Sequence, residues 1–168
     1  MQNLKENRAE LVRIVEQVKI KATSKDFTVS SAESCTGGML AESLTSVPGS
    51  SIFFDSSIIA YSNLSKIKLL GVSSETIENY GAVSENTVQE MSSGLLDRTG
   101  SDIGIAISGI MGPDADGTEK DIGTVWFSLR SREKHLTKML KLEGSRDSNR
   151  KLSVLCALNY LSDFIDEV

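Results

Sequence analysis

Apolar positions along the chain recur at two periods, and the switches between them divide it into elements. Leu11, Ile14, Val15 and Val18 repeat at three- and four-residue steps, which predicts a first helix over residues 6–22. Residues 28–32 read as a short strand. A helix over 38–47 follows and stops at Pro48-Gly49. Residues 51–62 are rich in β-branched and aromatic side chains and read as extended. Short helices over 64–70 and 74–80 stop at Gly71 and Gly81. A longer helix, capped by Ser84, runs to Arg98 and closes at Gly100. Ile103, Ile105 and Ile107 alternate with small residues, the pattern of a buried strand over 103–110. Residues 111–121 form a loop rich in Gly and Asp, and 124–130 and 136–142 a hairpin of two strands. The tail over 147–164 is an amphipathic helix with Leu152, Leu155, Leu158 and Leu161 near one face. Helices and strands interleave, with no repeat and no linker. That order predicts an α/β fold in one domain spanning 1–168: a three-layer α/β/α sandwich with a mixed β-sheet, its active residues at strand ends.

Composition narrows the function classes. The 168 residues are 39% apolar and 24% charged, enough for a real core. A net charge of −5 and a pI near 5.0 argue against a nucleic-acid surface, which needs a basic patch, but leave room for a small anionic ligand. The two cysteines, Cys35 and Cys156, lie far apart, so a disulfide is not expected and a reducing compartment fits. The first residues are charged, without an apolar signal core, and no apolar run approaches a membrane span. The expectation is a soluble, cytoplasmic protein with no nucleic-acid or membrane partner.

Chemistry concentrates at a predicted strand-to-helix turn, Ser31-Ala32-Glu33-Ser34-Cys35-Thr36-Gly37-Gly38. Such a turn offers free backbone N–H groups and the positive end of a helix dipole. A nucleophile there has donors for an oxyanion beside it, and an anion can bind the same amides. A tight, hydroxyl-capped βα turn explains the residues equally well. The one histidine, His135, falls at a predicted hairpin and reads as surface. No His/Cys cluster has zinc spacing, no Gly-Lys-Ser/Thr phosphate loop occurs, and the acidic loop 112–118 lacks both end ligands of a calcium loop. No metal or cofactor is therefore expected. Without histidine, a serine nucleophile needs another base, and a lysine of lowered pKa can serve. Lys66, in Tyr61-Ser62-Asn63-Leu64-Ser65-Lys66, is the candidate, although an exposed helix lysine is the commoner reading. Tyr61 can relay a proton or orient the lysine, and Asn63 can cap the helix or bind an amide. Ser108-Gly109 ends a strand whose amides can line a pocket. Arg146 can bind a phosphate or carboxylate, or pair with Asp147 or Glu143.

Six motifs occur in order: Ala-Glu-Ser-Cys-Thr-Gly-Gly at 32–38, Pro-Gly-Ser-Ser at 48–51, Tyr-Ser-Asn-x-x-Lys at 61–66, Gly-Ala-Val-Ser at 81–84, Ser-Gly-Ile-x-Gly-Pro at 108–113 and Gly-Thr-Val-Trp at 123–126. Together they resemble the CinA C-terminal domain family of nicotinamide-mononucleotide deamidases. The resemblance covers nearly the whole chain, whose length matches the stand-alone form. It implies metal-free hydrolysis of the carboxamide of nicotinamide mononucleotide, with Ser34 as nucleophile, Lys66 as base and Tyr61 assisting. Glu33, Thr36, Gly37, Gly38, Ser51, Ser108, Gly109 and Arg146 would form the supporting shell, with Ser51 also a candidate for a relay role. It further implies a small-molecule nucleotide partner and a homodimer. The chain departs from the family pattern in one loop. Met111 replaces the usual alanine, Ala115 and Asp116 replace two glycines, and Asp121 replaces a proline. A related amidohydrolase acting on another amide, and a non-catalytic binding or regulatory domain of the same fold, are the alternatives.

Overall fold

The structure is a computed structural model that describes residues 2–114, 117 and 119–168, with the side chains of residues 2–8 left aside. Ala115 and Asp116, two of the altered loop positions, lie outside the described residues. The elements are α1 (Gln2–Ser24), β1 (Val29–Glu33), α2 (Met39–Leu44), β2 (Phe54–Ile59), α3 (Asn63–Leu70), α4 (Ser74–Tyr80), α5 (Glu85–Thr99), β3 (Ile103–Gly109), β4 (Thr124–Arg130), β5 (His135–Lys141) and α6 (Arg146–Asp166). The strands form a mixed sheet in the order β2-β1-β3-β4-β5. The first three are parallel, and β4 and β5 are antiparallel to their neighbours. Helices α1, α2 and α6 pack on one face and α3, α4 and α5 on the other, giving the expected three layers.

Strand periodicity explains this layering. Ile103, Ile105 and Ile107 point into the larger core with Val29, Val125, Phe127, Leu129 and the apolar side of α6. The alternate positions Ala32, Ala106 and Ser128, with Gly104 beside them, are small and face α5. A side chain on Gly104 would meet Leu96 of α5 at 3.0 Å, so the small residues set how closely that helix approaches. Gly94 does the same one layer out. A Cβ there would lie 1.6 Å from the Leu70 carbonyl oxygen, so only glycine lets the end of α3 rest on α5.

Two expectations are corrected. The extended reading over 51–62 breaks into a single 3-10 turn, Ser50–Ile52, and then β2, because Gly49 adopts φ 77° and folds the chain tightly first. The helix expected over 38–47 shortens to Met39–Leu44. Gly38 is left-handed at φ 96°, and the Ser43, Thr45 and Ser46 hydroxyls bond back to carbonyls in the last turns.

Candidate active site

A cleft of about 380 Å³ opens at the carboxyl ends of β1, β2 and β3. In an open parallel sheet the crevice lies where neighbouring strands connect in opposite directions, and here β1 sits between β2 and β3. Ser34 directly follows β1, Tyr61, Asn63 and Lys66 follow β2, Ser108 and Gly109 end β3, and Arg146 opens α6; all line the cleft.

Ser34 and Lys66 meet although 32 positions separate them: Lys66 Nζ lies 2.8 Å from Ser34 Oγ. Lys66 also donates to the carbonyls of Ala60 and Tyr61, each at 3.1 Å. Its helix begins at Ser62, whose hydroxyl accepts the Ser65 N–H. Asn63 is therefore not the cap but the first helical residue, at the cleft wall. The fourth residue of α3 points inward, and Lys66 is 1% exposed. Burial disfavours its charged form and lowers its pKa from 10.5 to about 8. Ser34, 7% exposed, faces the cleft with the Lys66 amine already in contact.

Glu33 and Thr36 are fully buried and do not line the cleft. The Glu33 carboxylate accepts the N–H groups of Gly38, Leu40 and Ala41 at 2.8–3.1 Å. Glu33 thus fills the start of α2, and the amides expected to hold an anion are already satisfied. Gly37 and Gly38 turn the chain there at φ 60° and 96°. Ser51 is exposed and sits beside Phe54, which pairs with Val29 at the amino ends of the parallel strands. The fold places Ser51 at the end of the sheet away from Ser34. Tyr61 reaches Lys66 through its backbone carbonyl, while its 60%-exposed side chain accepts a 3.1 Å hydrogen bond from Arg146. Arg146 also donates to Gly112 O at 2.8 Å, leaving an exposed guanidinium at the cleft mouth. The Ser108 hydroxyl donates to Ala82 O at 2.8 Å and holds the loop that forms the far wall. Cys35 is buried, and burial pushes its thiol up to about 12.

The sequence reading missed Arg150. It donates from Nε to Cys35 O at 3.2 Å and from Nη2 to Thr36 O at 2.8 Å, grasping the turn after β1 from α6. The available signal was its spacing: Arg150 follows Arg146 by one helical turn, on the same face. Among the described residues, no group of three or more His, Cys, Asp and Glu could hold a metal ion. His135 is exposed on β5, where its Nε2 lies 3.0 Å from Ser128 Oγ, and it takes no part in the cleft. No helix is long and apolar enough to cross a membrane among the described residues.

Comparison with known proteins places this cleft in a family. The nicotinamide-nucleotide amidohydrolase PncC of Enterobacter agglomerans is 43% identical over 84% of this chain and 88% of its own length. The protein of that name from Escherichia coli K12 is 40% identical over 91% and 93%. A CinA-like protein of Petrotoga mobilis is 45% identical over 82% of this chain, which spans 34% of that longer relative. A crystal structure of a competence-damaged protein (CinA) superfamily member from Klebsiella pneumoniae superposes with a TM-score of 0.91. It is 32% identical over 94% of this chain and 99% of that one. The model of the CinA C-terminal domain matches residues 12–165, which include every residue named in the cleft, and the chain belongs to that family.

Proposed function

We propose that the chain is a nicotinamide-nucleotide amidohydrolase that converts nicotinamide mononucleotide and water to nicotinic acid mononucleotide and ammonia. The relatives named for that activity over nearly their whole length support the substrate class. The observation that carries the mechanism is the 2.8 Å contact between Ser34 Oγ and a buried Lys66 Nζ. A neutral amine has two N–H bonds and one lone pair. The carbonyls of Ala60 and Tyr61 take the two donors, which turns the lone pair toward the Ser34 hydroxyl.

The reaction follows from that arrangement. Lys66 takes the Ser34 proton as Oγ attacks the carboxamide carbon, and the carbonyl oxygen becomes an oxyanion. The ammonium of Lys66 then protonates the amide nitrogen, ammonia departs, and an ester to Ser34 remains. Lys66, neutral again, takes a proton from water, which attacks the ester carbon. Collapse returns the proton from Lys66 to Ser34 and releases the carboxylic acid, which gives its remaining proton to the released ammonia or to water and leaves as the carboxylate. Arg146, exposed at the cleft mouth, is the cation suited to the substrate phosphate. Tyr61, bonded to it, fixes the guanidinium.

Ammonia release from nicotinamide mononucleotide, nicotinamide and a panel of other carboxamides tests this reading. Release from the mononucleotide, abolished by Ser34→Ala, is expected. Met111 lines the cleft in the loop that departs from the family pattern, which favours a related amide as the second reading. Faster release from another amide would select it, and no release from any would favour a binding domain.

A further inference from the structure

The backbone groups of the nucleophile turn are almost all satisfied, and the exceptions are informative. The Ser34 N–H donates to Ile107 O at 3.1 Å, and Ser34 O accepts from the Gly37 N–H at 3.1 Å. Cys35 O and Thr36 O accept from Arg150. The Gly38, Leu40 and Ala41 amides donate to Glu33, and the Met39 amide to Thr36 O. Among the described residues, the N–H groups of Cys35 and Thr36 donate to no carbonyl or side-chain oxygen. Cys35 lines the cleft directly after Ser34 and Thr36 does not, so the Cys35 N–H is the donor that would meet the oxygen of a carbonyl under attack.

Arg150 governs how that donor is held. In a planar trans peptide the C=O and the next N–H point in opposite directions. Binding Cys35 O therefore directs the Thr36 N–H away from Arg150. The second bond, to Thr36 O, fixes the following plane, whose Gly37 N–H holds Ser34 O and with it the plane of the Cys35 N–H. A planar guanidinium holds two carbonyls at once, whereas an ammonium is a single point of charge on a flexible stem. Glu33 anchors the other side of the turn. We infer that Arg150 is a positioning residue: it fixes the peptide planes of the nucleophile turn so that the Cys35 amide forms a preorganised oxyanion donor beside Ser34. This rests on the proposed amide hydrolysis at Ser34.

The test compares Arg150→Ala and Arg150→Lys with the wild type in two assays. One is ammonia release from nicotinamide mononucleotide. The other is labelling by a fluorophosphonate, in which Ser34 Oγ displaces fluoride from phosphorus and its proton passes to Lys66. For Arg150→Ala, kcat and labelling rate should fall about 10²-fold, as for loss of an oxyanion donor, with KM within about threefold. Guanidinium, added below unfolding concentrations, should restore part of both rates. The pH midpoint of the Lys66 limb should not move, because Arg150 makes no contact with that amine. Arg150→Lys should fall between the two. Rates within about twofold of wild type would overturn the inference. So would a shifted limb, or a loss that tracks a lowered melting temperature and that neither guanidinium nor lysine relieves. If Arg150→Ala does not fold, Arg150→Lys decides: a labelling rate about tenfold down at an unchanged melting temperature supports the role, and an unchanged rate overturns it. A wild type that releases no ammonia yet is labelled at Ser34 refutes the substrate alone, and the labelling arm still decides Arg150. A wild type that is not labelled at Ser34 overturns both.

Discussion

At the residue scale, the site turns on a lysine held where its charged form is costly. Lys66 is the only ionisable side chain bonded to Ser34 among the described residues, and its pKa of about 8 makes the neutral amine accessible near physiological pH. Turnover should therefore rise with pH along a limb centred near 8, read from initial rates across a buffer series. Lys66→Arg keeps the charge but cannot give up its proton, so it should be as inactive as Lys66→Ala while still folding. Near-native turnover in Lys66→Arg would move the base elsewhere. The neighbouring thiol, pushed up to about 12 by burial, is not a thiolate at working pH. Cys35→Ala should retain most activity, and Ser34→Ala should lose nearly all of it. The reverse result would reassign the nucleophile. The lysine also has a stability signature. Its pKa is lower folded than unfolded, so the folding penalty is fully present below pH 8 and is relieved as pH rises toward 10.5. Relative to Lys66→Met, the wild type should gain about 3 kcal/mol between those limits, measured by denaturant melts at each pH.

At the element scale, the site depends on how closely α3 sits on α5. The Leu70 carbonyl closes on Gly94 with no room for a methyl group. Gly94→Ala should force the two helices apart at a cost of about 1–3 kcal/mol. Because α3 carries Lys66, the same change should lower kcat at temperatures where the protein remains folded. A stable variant with full kcat would show that the lysine tolerates movement of its helix. The first turn of α6 has a comparable part. Within two turns it reaches Tyr61 and Gly112 through Arg146, Met111 through Asn149, and the turn after β1 through Arg150.

At the scale of the whole molecule, the large core on the α1, α2 and α6 side carries the sheet, and the cleft lies at its edge. Leu158, fully buried midway along α6, packs in that core well below the cleft. Leu158→Ala should cost about 2–5 kcal/mol in denaturant melts. Activity per folded molecule should persist at low temperature, because the residues that hold the site lie at the helix start. An equal loss of activity in the fully folded variant would show that core packing transmits to the cleft.

Much of this was legible in the chain. Periodicity, composition and turn residues located the α-helices and strands, because apolar faces must be buried whatever their partners are, but the extended reading over 51–62 missed the 3-10 turn Ser50–Ile52. The alternation of isoleucine with Gly, Ala and Ser in β3 marked a strand covered on both faces, one of them closely. Ser34 and Lys66 stood out by residue type, local pattern and family resemblance. Other features came only from the tertiary structure, because they depend on which strand ends are neighbours and on what fills each space. A parallel sheet set the carboxyl ends of β1, β2 and β3 side by side and sent Ser51, a motif serine, to the opposite end. A buried carboxylate, Glu33, took the helix amides that the local sequence offered to a ligand. Arg150, unremarkable in the sequence, became the residue that grips the turn after β1, because α6 folds back across 115 positions to meet it. Local sequence decides which groups a turn exposes, and the packing of distant elements decides which of them remain free to act.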